Sequence, residues 1–122
     1  MAVVMIIDDD AALRRLVVRT LSAHGHEVVE AEDGEEGLAL LPLHRPEIVV
    51  TDILMPKTEG IETINRMKEH RPAPKIIAIS GGGMSRNLMF LDVARALGVE
   101  ATLAKPFRPA QLVEAVARLL AG

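Results

Sequence analysis

Acidic, hydroxyl and amino side chains stand at the ends of separate apolar runs in this sequence. Three consecutive aspartates, residues 8–10, come directly after the first apolar run, and Asp52 follows a β-branched run in the middle of the chain. Ser80 and Lys105 follow two later runs in the same way. Carboxylates, a hydroxyl and an ammonium group are the functional groups used to bind a metal ion and to transfer a phosphoryl group.

The combination of these groups predicts a particular chemistry. Clustered carboxylates repel one another and resist ionising together. Mg²⁺ relieves that repulsion, because it prefers carboxylate oxygens and keeps some of its own waters. A carboxylate beside the cation can then attack a phosphoryl group, whose charge is spread over three oxygens. Mg²⁺, the lysine, and the hydroxyl together with backbone N–H groups would each neutralise one of these oxygens. The chain has no nucleotide-binding loop, so the donor is expected to be something other than a nucleotide.

Five strands and five helices are predicted to position these side chains. Short apolar runs indicate strands, which we place at residues 2–7, 26–30, 48–51, 75–79 and 99–103. Amphipathic stretches indicate helices, which we place around residues 13–21, at 33–43 with Asp33 as N-cap, and at 59–70, 87–97 and 108–120. Alternating strands and helices imply a parallel sheet with helices on both faces. Right-handed crossovers bring the carboxyl ends of all strands to one edge, where ligands bind.

Length and composition exclude several classes of protein. The 122 residues, of which 49% are apolar and 25% charged, predict one globular domain over residues 1–122. The absence of Cys excludes disulfide scaffolds, thiolate metal sites and cysteine nucleophiles, and fits a cytoplasmic location. A net charge of -3 gives no reason to expect nucleic acid, and no apolar stretch is long enough for a membrane span.

Four segments of the sequence, taken in order, resemble response-regulator receiver domains. They are IIDDD at residues 6–10, VVTDILMPKTEG at 49–60, IIAIS at 76–80 and LAKPF at 103–107. The resemblance covers the whole chain and implies a flavodoxin-like α/β fold. Its sheet would be doubly wound, with five parallel strands in the order 2-1-3-4-5 and five helices.

The resemblance implies a catalytic role for three side chains. Asp52 resembles the phosphoacceptor, Ser80 the hydroxyl that binds the phosphoryl group, and Lys105 the lysine that contacts it. The backbone N–H of Gly81 would bind a phosphoryl oxygen beside the hydroxyl of Ser80. Receiver domains usually have a cis peptide between this lysine and the proline that follows it, here Pro106.

The resemblance also implies a Mg²⁺ site. Asp9 would bind the metal directly, and Asp8 would hold a metal-bound water. Asp52 and the backbone carbonyl of Leu54 would complete the share of the metal's ligands that the protein provides. Mg²⁺ is therefore the expected cofactor.

A receiver domain acts as a switch with protein partners. The expected phosphoryl donor is a phosphohistidine on a sensor histidine kinase or on a histidine phosphotransfer protein. The acyl phosphate would change the face formed by the last two strand–helix units, which a downstream protein would recognise. We expect a regulator rather than an enzyme, with at most self-phosphorylation and autodephosphorylation, and with no nucleic acid or membrane partner for this domain.

Two positions depart from the usual receiver pattern. Thr102 stands where the family often has an aromatic residue, and we expect Phe90 to be the aromatic residue that could replace it. The segment between Ser80 and Lys105 is longer than usual, and we place the extra length in a glycine-containing loop at residues 81–86. We expect this loop to become ordered when the phosphoryl group binds.

Two other functions fit part of the pattern. A haloacid-dehalogenase-like phosphatase would use Asp8 as nucleophile with Asp10, Ser80 and Lys105, but Ala12 and the lack of an acidic pair after Lys105 argue against it. A receiver-like interaction module that is never phosphorylated is the second alternative. The complete set of acids, hydroxyl and lysine argues against that degenerate case.

Overall fold

A computed structural model of the chain has five strands and five helices that alternate along the sequence. It describes residues 2–52, 59–80 and 84–122, apart from the side chains of residues 59, 80, 84–89 and 91. The strands are β1 (Val3–Ile7), β2 (Glu27–Ala31), β3 (Ile48–Asp52), β4 (Lys75–Ser80) and β5 (Ala101–Ala104). The helices are α1 (Ala11–Ser22), α2 (Gly34–His44), α3 (Glu59–Lys68), α4 (Met84–Leu97) and α5 (Pro109–Ala121). Within the described ranges no helix has the length and apolar character needed to cross a bilayer.

The five strands form one parallel sheet in the order β2-β1-β3-β4-β5. The predicted fold class and strand order are therefore confirmed. Because every strand runs in the same direction, their carboxyl ends share one edge of the sheet. The register places Asp52 beside Ile79 and Ser80 beside Ala104 at that edge.

Apolar side chains fill both faces of the sheet. One face packs against α1 and α5 in a cluster that includes Val17, Leu112 and Val116. The other face packs against α2, α3 and α4 in a cluster that includes Leu41, Ile64, Met67, Phe90 and Ala94. All five residues of β3 are buried, which explains why residues 48–50 are apolar without alternation. The strands that carry the site residues are thus held rigidly from both sides.

Two helices begin at aspartates that cap their first turns. Asp10 accepts hydrogen bonds from the backbone N–H groups of Ala12 and Leu13, and Asp33 accepts one from Glu36 at 2.8 Å. Such caps satisfy N–H groups that have no partner inside the helix. The predicted capping role of Asp33 is confirmed, and Asp10 in the same way fixes the direction in which α1 leaves β1.

The structure corrects two predicted boundaries near the end of the chain. Helix α4 begins at Met84 rather than at residue 87, so half of the stretch expected as a loop, residues 81–86, is helical. Residues 81–83 lie outside the described part of the chain. Strand β5 begins at Ala101 rather than at residue 99, because the N–H of Val99 bonds back to Ala94 O. The preceding Gly98, at a φ of +70°, closes the helix in the left-handed conformation.

Candidate functional site

The side chain of Lys105 joins two carboxylates from different strands at the carboxyl edge of the sheet. Its Nζ donates to Asp8 Oδ2 at 3.1 Å and to Asp52 Oδ2 at 3.2 Å. Asp8 directly follows β1, Asp52 ends β3, and Lys105 directly follows β5. The fold therefore brings together three of the side chains that the sequence placed at this edge.

Asp8 is the most enclosed residue of the site. It is completely buried, and its N–H donates to Ala31 O at 3.1 Å. Its carbonyl accepts from Arg14 Nη1 at 2.6 Å, and its Oδ1 accepts from the N–H of Asp10 at 2.9 Å. With Lys105 on Oδ2, each backbone and side-chain polar atom of Asp8 has a partner, so this residue has little freedom to move.

Burial and the hydrogen bond between Asp8 and Lys105 shift the pKa of each of these residues in opposite directions. Burial raises the pKa of Asp8 above its ordinary value, although the hydrogen bonds from the Asp10 N–H and from Lys105 partly offset it. For Lys105, burial by itself lowers the pKa, but the hydrogen bonds and charges of Asp8 and Asp52 outweigh it and leave the pKa raised. Lys105 is therefore protonated at neutral pH and acts as the resident positive charge between the two acids.

Asp52 differs from Asp8 in its access to solvent. Its side chain is 12% exposed, whereas that of Asp8 is 0% exposed. The other four residues of β3 are 0% exposed and Asp52 is 9% exposed, so Asp52 is the one residue of this strand with any access to solvent. Of the two carboxylates that Lys105 bridges, only Asp52 can be approached from outside without rearranging the strand ends.

The donor set of this edge fits a hard divalent cation. Two carboxylates already share one positive charge here, and Asp9, the next residue, is exposed. These are the oxygen donors that Mg²⁺ prefers. In the described part of the chain no three His, Cys, Asp or Glu side chains are arranged to hold a metal ion. Leu54, whose carbonyl the resemblance assigns to the metal, lies outside the described residues.

The expected phosphoryl-binding hydroxyl stands on a neighbouring strand end. Ser80 is the last residue of β4 and pairs with Ala104, which directly precedes Lys105. Its side chain and all of Gly81 lie outside the described part of the chain. The Lys105–Pro106 peptide is cis, as the resemblance implied.

The position usually taken by an aromatic residue in the fifth strand is exposed here. Thr102 pairs with Ala78, so it lies on the face of the sheet that packs against α2, α3 and α4. Phe90 lies on the same face but is only 2% exposed within the apolar cluster. Thr102 is thus exposed to solvent, while the ring of Phe90 is already part of the core.

Arg14 is a site residue that the sequence analysis did not identify. Its guanidinium binds the carbonyl of Asp8 and lies 3.3 Å from Glu30 Oε1. A signal was present in the sequence, because Arg14 shares one face of α1 with the buried Val17 and Leu21. A charged residue on a buried stripe needs a nearby acceptor, and here the acceptors are the ends of β1 and β2.

Known proteins with the same sequence pattern are response regulators. The sequence profile described as "Response regulator receiver domain" matches residues 4–117. Among curated relatives, the probable transcriptional regulator ycf27 of Cyanophora paradoxa is 32% identical over 117 residues, which are 96% of this chain and 47% of that protein. The transcriptional regulatory protein PdtaR of Mycobacterium tuberculosis is 34% identical over 114 residues, 93% of this chain and 54% of that protein. The chain thus spans about half the length of these relatives.

Solved structures agree with this relationship. The chemotaxis response regulator CheY4 of Vibrio cholerae superposes with a TM-score of 0.83 at 28% identity, over 98% of each chain. NtrX from Brucella abortus superposes with a TM-score of 0.88 at 29% identity, over 98% of this chain and 27% of that one. This chain therefore has both the parallel sheet, at whose carboxyl edge two acids and a lysine meet, and a match to the family profile over residues 4–117. The chain belongs to the response regulator receiver domain family.

Proposed function

We propose that this receiver domain of a two-component system is a phosphoacceptor switch in which Asp52 accepts a phosphoryl group. The observation that carries the proposal is the bridge of Lys105 between Asp52 and the buried Asp8. A cation held against a partly exposed carboxylate is placed to neutralise charge that arrives there. A transferred phosphoryl group requires such a positive charge, because its negative charge lies on its outer oxygens.

The geometry favours Asp52 over Asp8 as the nucleophile. The carboxylate of Asp8 is buried and holds the N–H of Asp10 and the ammonium of Lys105 on its two oxygens. A donor as large as a phosphohistidine on another protein cannot reach it. The same burial argues against a haloacid-dehalogenase-like phosphatase, which would need Asp8 as its nucleophile.

Transfer then proceeds by a balanced exchange of bonds. An oxygen of Asp52 attacks the phosphorus of a phosphohistidine and forms an acyl phosphate, while the phosphorus–nitrogen bond breaks. The electron pair of that bond stays on the imidazole nitrogen, which takes up a proton. Lys105, 3.2 Å from Asp52 Oδ2, keeps its proton and pairs with an oxygen of the bound phosphoryl group.

Mg²⁺ is the proposed cofactor. Asp9, Asp52 and the Leu54 carbonyl would hold it directly, and Asp8 would hold one of its waters. Once bound, it would neutralise a phosphoryl oxygen and the charge of the clustered carboxylates. The chain's own contribution is to hold Asp8 rigidly and to keep Lys105 protonated beside the acceptor.

The proposed partners are proteins on both sides of the switch. A sensor histidine kinase or a histidine phosphotransfer protein supplies the phosphoryl group. A downstream protein then recognises the face formed by α4, β5 and α5. Ser80 and Ala104, paired at the ends of β4 and β5, connect the site to this face through the backbone. The domain itself would turn over only its own phosphoryl group, by self-phosphorylation and autodephosphorylation.

Incubation with acetyl phosphate and Mg²⁺, followed by intact mass measurement, tests the proposed function. We expect the protein to gain the mass of one phosphoryl group and to lose it again slowly. Rapid release of phosphate from many phosphomonoesters without a labelled protein would indicate a phosphatase instead. No label under these conditions, nor from a phosphohistidine donor, would indicate an interaction module that is not phosphorylated.

A further inference from the structure

Arg14 ties together the ends of two strands beside the acidic site. It lies in the first turns of α1, and its side chain points back towards the start of the helix, as helical side chains do. Its Nη1 donates to Asp8 O at 2.6 Å, and its Nε lies 3.3 Å from Glu30 Oε1. The Arg14 side chain is only 13% exposed, whereas that of Glu30 is 46% exposed. The guanidinium therefore binds a buried residue, Asp8, on one side and a partly exposed one, Glu30, on the other.

The hydrogen bond to Asp8 fixes the peptide that leads to Asp9. A peptide unit is planar, so a carbonyl held in one direction also sets the direction of the next N–H and the next Cα. The other end of Asp8 is held as well, because its N–H donates to Ala31 O. Within the described residues the exposed carboxylate of Asp9 forms no hydrogen bond or ion pair of its own. Its position therefore depends on the backbone that Arg14 holds.

We propose that Arg14 is a positioning residue for the divalent-cation site, which acts by fixing the Asp8–Asp9 peptide and so presenting the carboxylate of Asp9. This inference rests on the proposed phosphoacceptor function and assigns a further residue to its metal site. Arginine suits the role, because its planar guanidinium can bind two acceptors at once. Glu30 binds the second donor and balances the charge of the guanidinium.

The sign of the change in Mg²⁺ affinity distinguishes this role from a simple effect of charge. Arg14 is positive, so by charge alone its removal should strengthen the binding of a divalent cation. By positioning, its removal should weaken binding, because the Asp9 carboxylate loses its fixed place. Loss of a residue that orients metal ligands typically lowers metal affinity about 10- to 100-fold.

The test is a titration of the unphosphorylated protein with MgCl₂, read by calorimetry and by the amide signals of Asp9 and Asp10. We expect Arg14→Gln to raise the dissociation constant about 10-fold or more. Arg15→Gln removes the same charge from the exposed next position of the helix and should leave the constant within about twofold of wild type. Glu30→Gln should have a smaller effect than Arg14→Gln, because the bond to the Asp8 carbonyl remains.

Each outcome decides the question. An Arg14→Gln protein that is folded but binds Mg²⁺ as well as wild type, or more tightly, overturns the proposal, even if its melting temperature has fallen. Should Arg14→Gln fail to fold, Arg14→Met replaces it, because methionine keeps an unbranched side chain but donates no hydrogen bond to Asp8 O. An unchanged dissociation constant in that variant overturns the proposal equally. Wild-type protein that is phosphorylated and binds Mg²⁺ leaves the proposed function standing in either case. Wild-type protein that binds no Mg²⁺ contradicts both the metal site and the role of Arg14.

Discussion

Lys105 Nζ lies 3.2 Å from Asp52 Oδ2 although 53 positions separate the two residues in the sequence. The contact exists because β3 and β5 are parallel strands of one sheet and end at the same edge. The same ammonium lies 3.1 Å from Asp8 Oδ2, so one positive charge interacts with two acids that come from the ends of different strands. One ammonium therefore offsets only part of the negative charge of the site before any phosphoryl group arrives.

Removal of the Lys105 charge should destabilise the protein. In Lys105→Met the buried Asp8 loses a hydrogen-bond donor and its nearest positive charge, and we expect the free energy of unfolding at pH 7 to fall by about 1–3 kcal/mol. Urea denaturation in the presence of EDTA measures the change. Lys105→Arg keeps the charge and should recover part of the loss. Equal stability of Lys105→Met and wild type would show that the bridge contributes nothing.

Mg²⁺ should raise the thermal stability of the domain. A ligand that binds only the native state at ten times its dissociation constant adds about 1.4 kcal/mol to the free energy of unfolding. Asp9→Ala should remove most of this gain, because Asp9 is the proposed direct ligand. Glu69→Ala is a matched control, since it removes an exposed acid that follows α3, outside the proposed metal site. A melting temperature that millimolar Mg²⁺ leaves unchanged would contradict the metal site.

Stability should depend on pH through Asp8. Burial raises the pKa of Asp8 above 3.8, so the folded state holds this proton more tightly than the unfolded state does. The stabilisation is present at low pH and is lost as the pH rises through the raised pKa. We therefore expect Asp8→Asn to gain stability relative to wild type as the pH rises from about 4 towards neutrality. The charged neighbours of the Asp8 carboxylate, Lys105 and Asp52, are present in both proteins, as is Arg14, which binds the Asp8 carbonyl.

Urea midpoints at several pH values, measured in EDTA, provide this comparison. Asp33→Asn is the control, because it changes an exposed aspartate to a residue that caps a helix equally well. A stability difference between Asp8→Asn and wild type that does not vary with pH would show that burial of this carboxyl has little energetic effect.

The contact between α2 and α3 should tolerate no side chain at Gly34. A Cβ at this position would fall on Thr63 Oγ1 and lie 3.0 Å from Thr63 Cβ, which belongs to a stiff β-branched side chain. We expect Gly34→Ala to cost about 1–3 kcal/mol of stability, which outweighs the gain in helix propensity. The double variant Gly34→Ala/Thr63→Ala should recover part of it. Thermal melting tests this, and a Gly34→Ala protein as stable as wild type would contradict the close packing.

Much of the fold could be predicted because its signals are local. The buried strands are continuous apolar runs, and Asp10 and Asp33 stand where helices need caps. The edge of the sheet at which Asp8, Asp52 and Lys105 meet follows from the parallel direction of the strands. The strand order came from the resemblance to receiver domains, since periodicity carries no information on which strands are neighbours.

The remaining features depend on the three-dimensional packing. Helix α4 starts at Met84 after a run of glycines, whose permissive backbone gives no clear boundary in sequence. The reach of Arg14 to Asp8 O depends on how α1 crosses the ends of β1 and β2, which no spacing in the sequence encodes. The difference in exposure between Asp8 and Asp52 likewise arises only when the neighbouring strands and helices are in place.

The most direct test of the central claim is phosphoryl labelling of wild type and Asp52→Asn by acetyl phosphate with Mg²⁺, with the labelled residue located by peptide mass spectrometry. We expect one phosphoryl group per wild-type chain, on Asp52, and none on Asp52→Asn, because an amide cannot form the acyl phosphate. Asp33→Asn should be labelled like wild type, and matching circular dichroism spectra should show that all three proteins are folded. Full labelling of a folded Asp52→Asn protein would contradict the assignment of Asp52 as the acceptor.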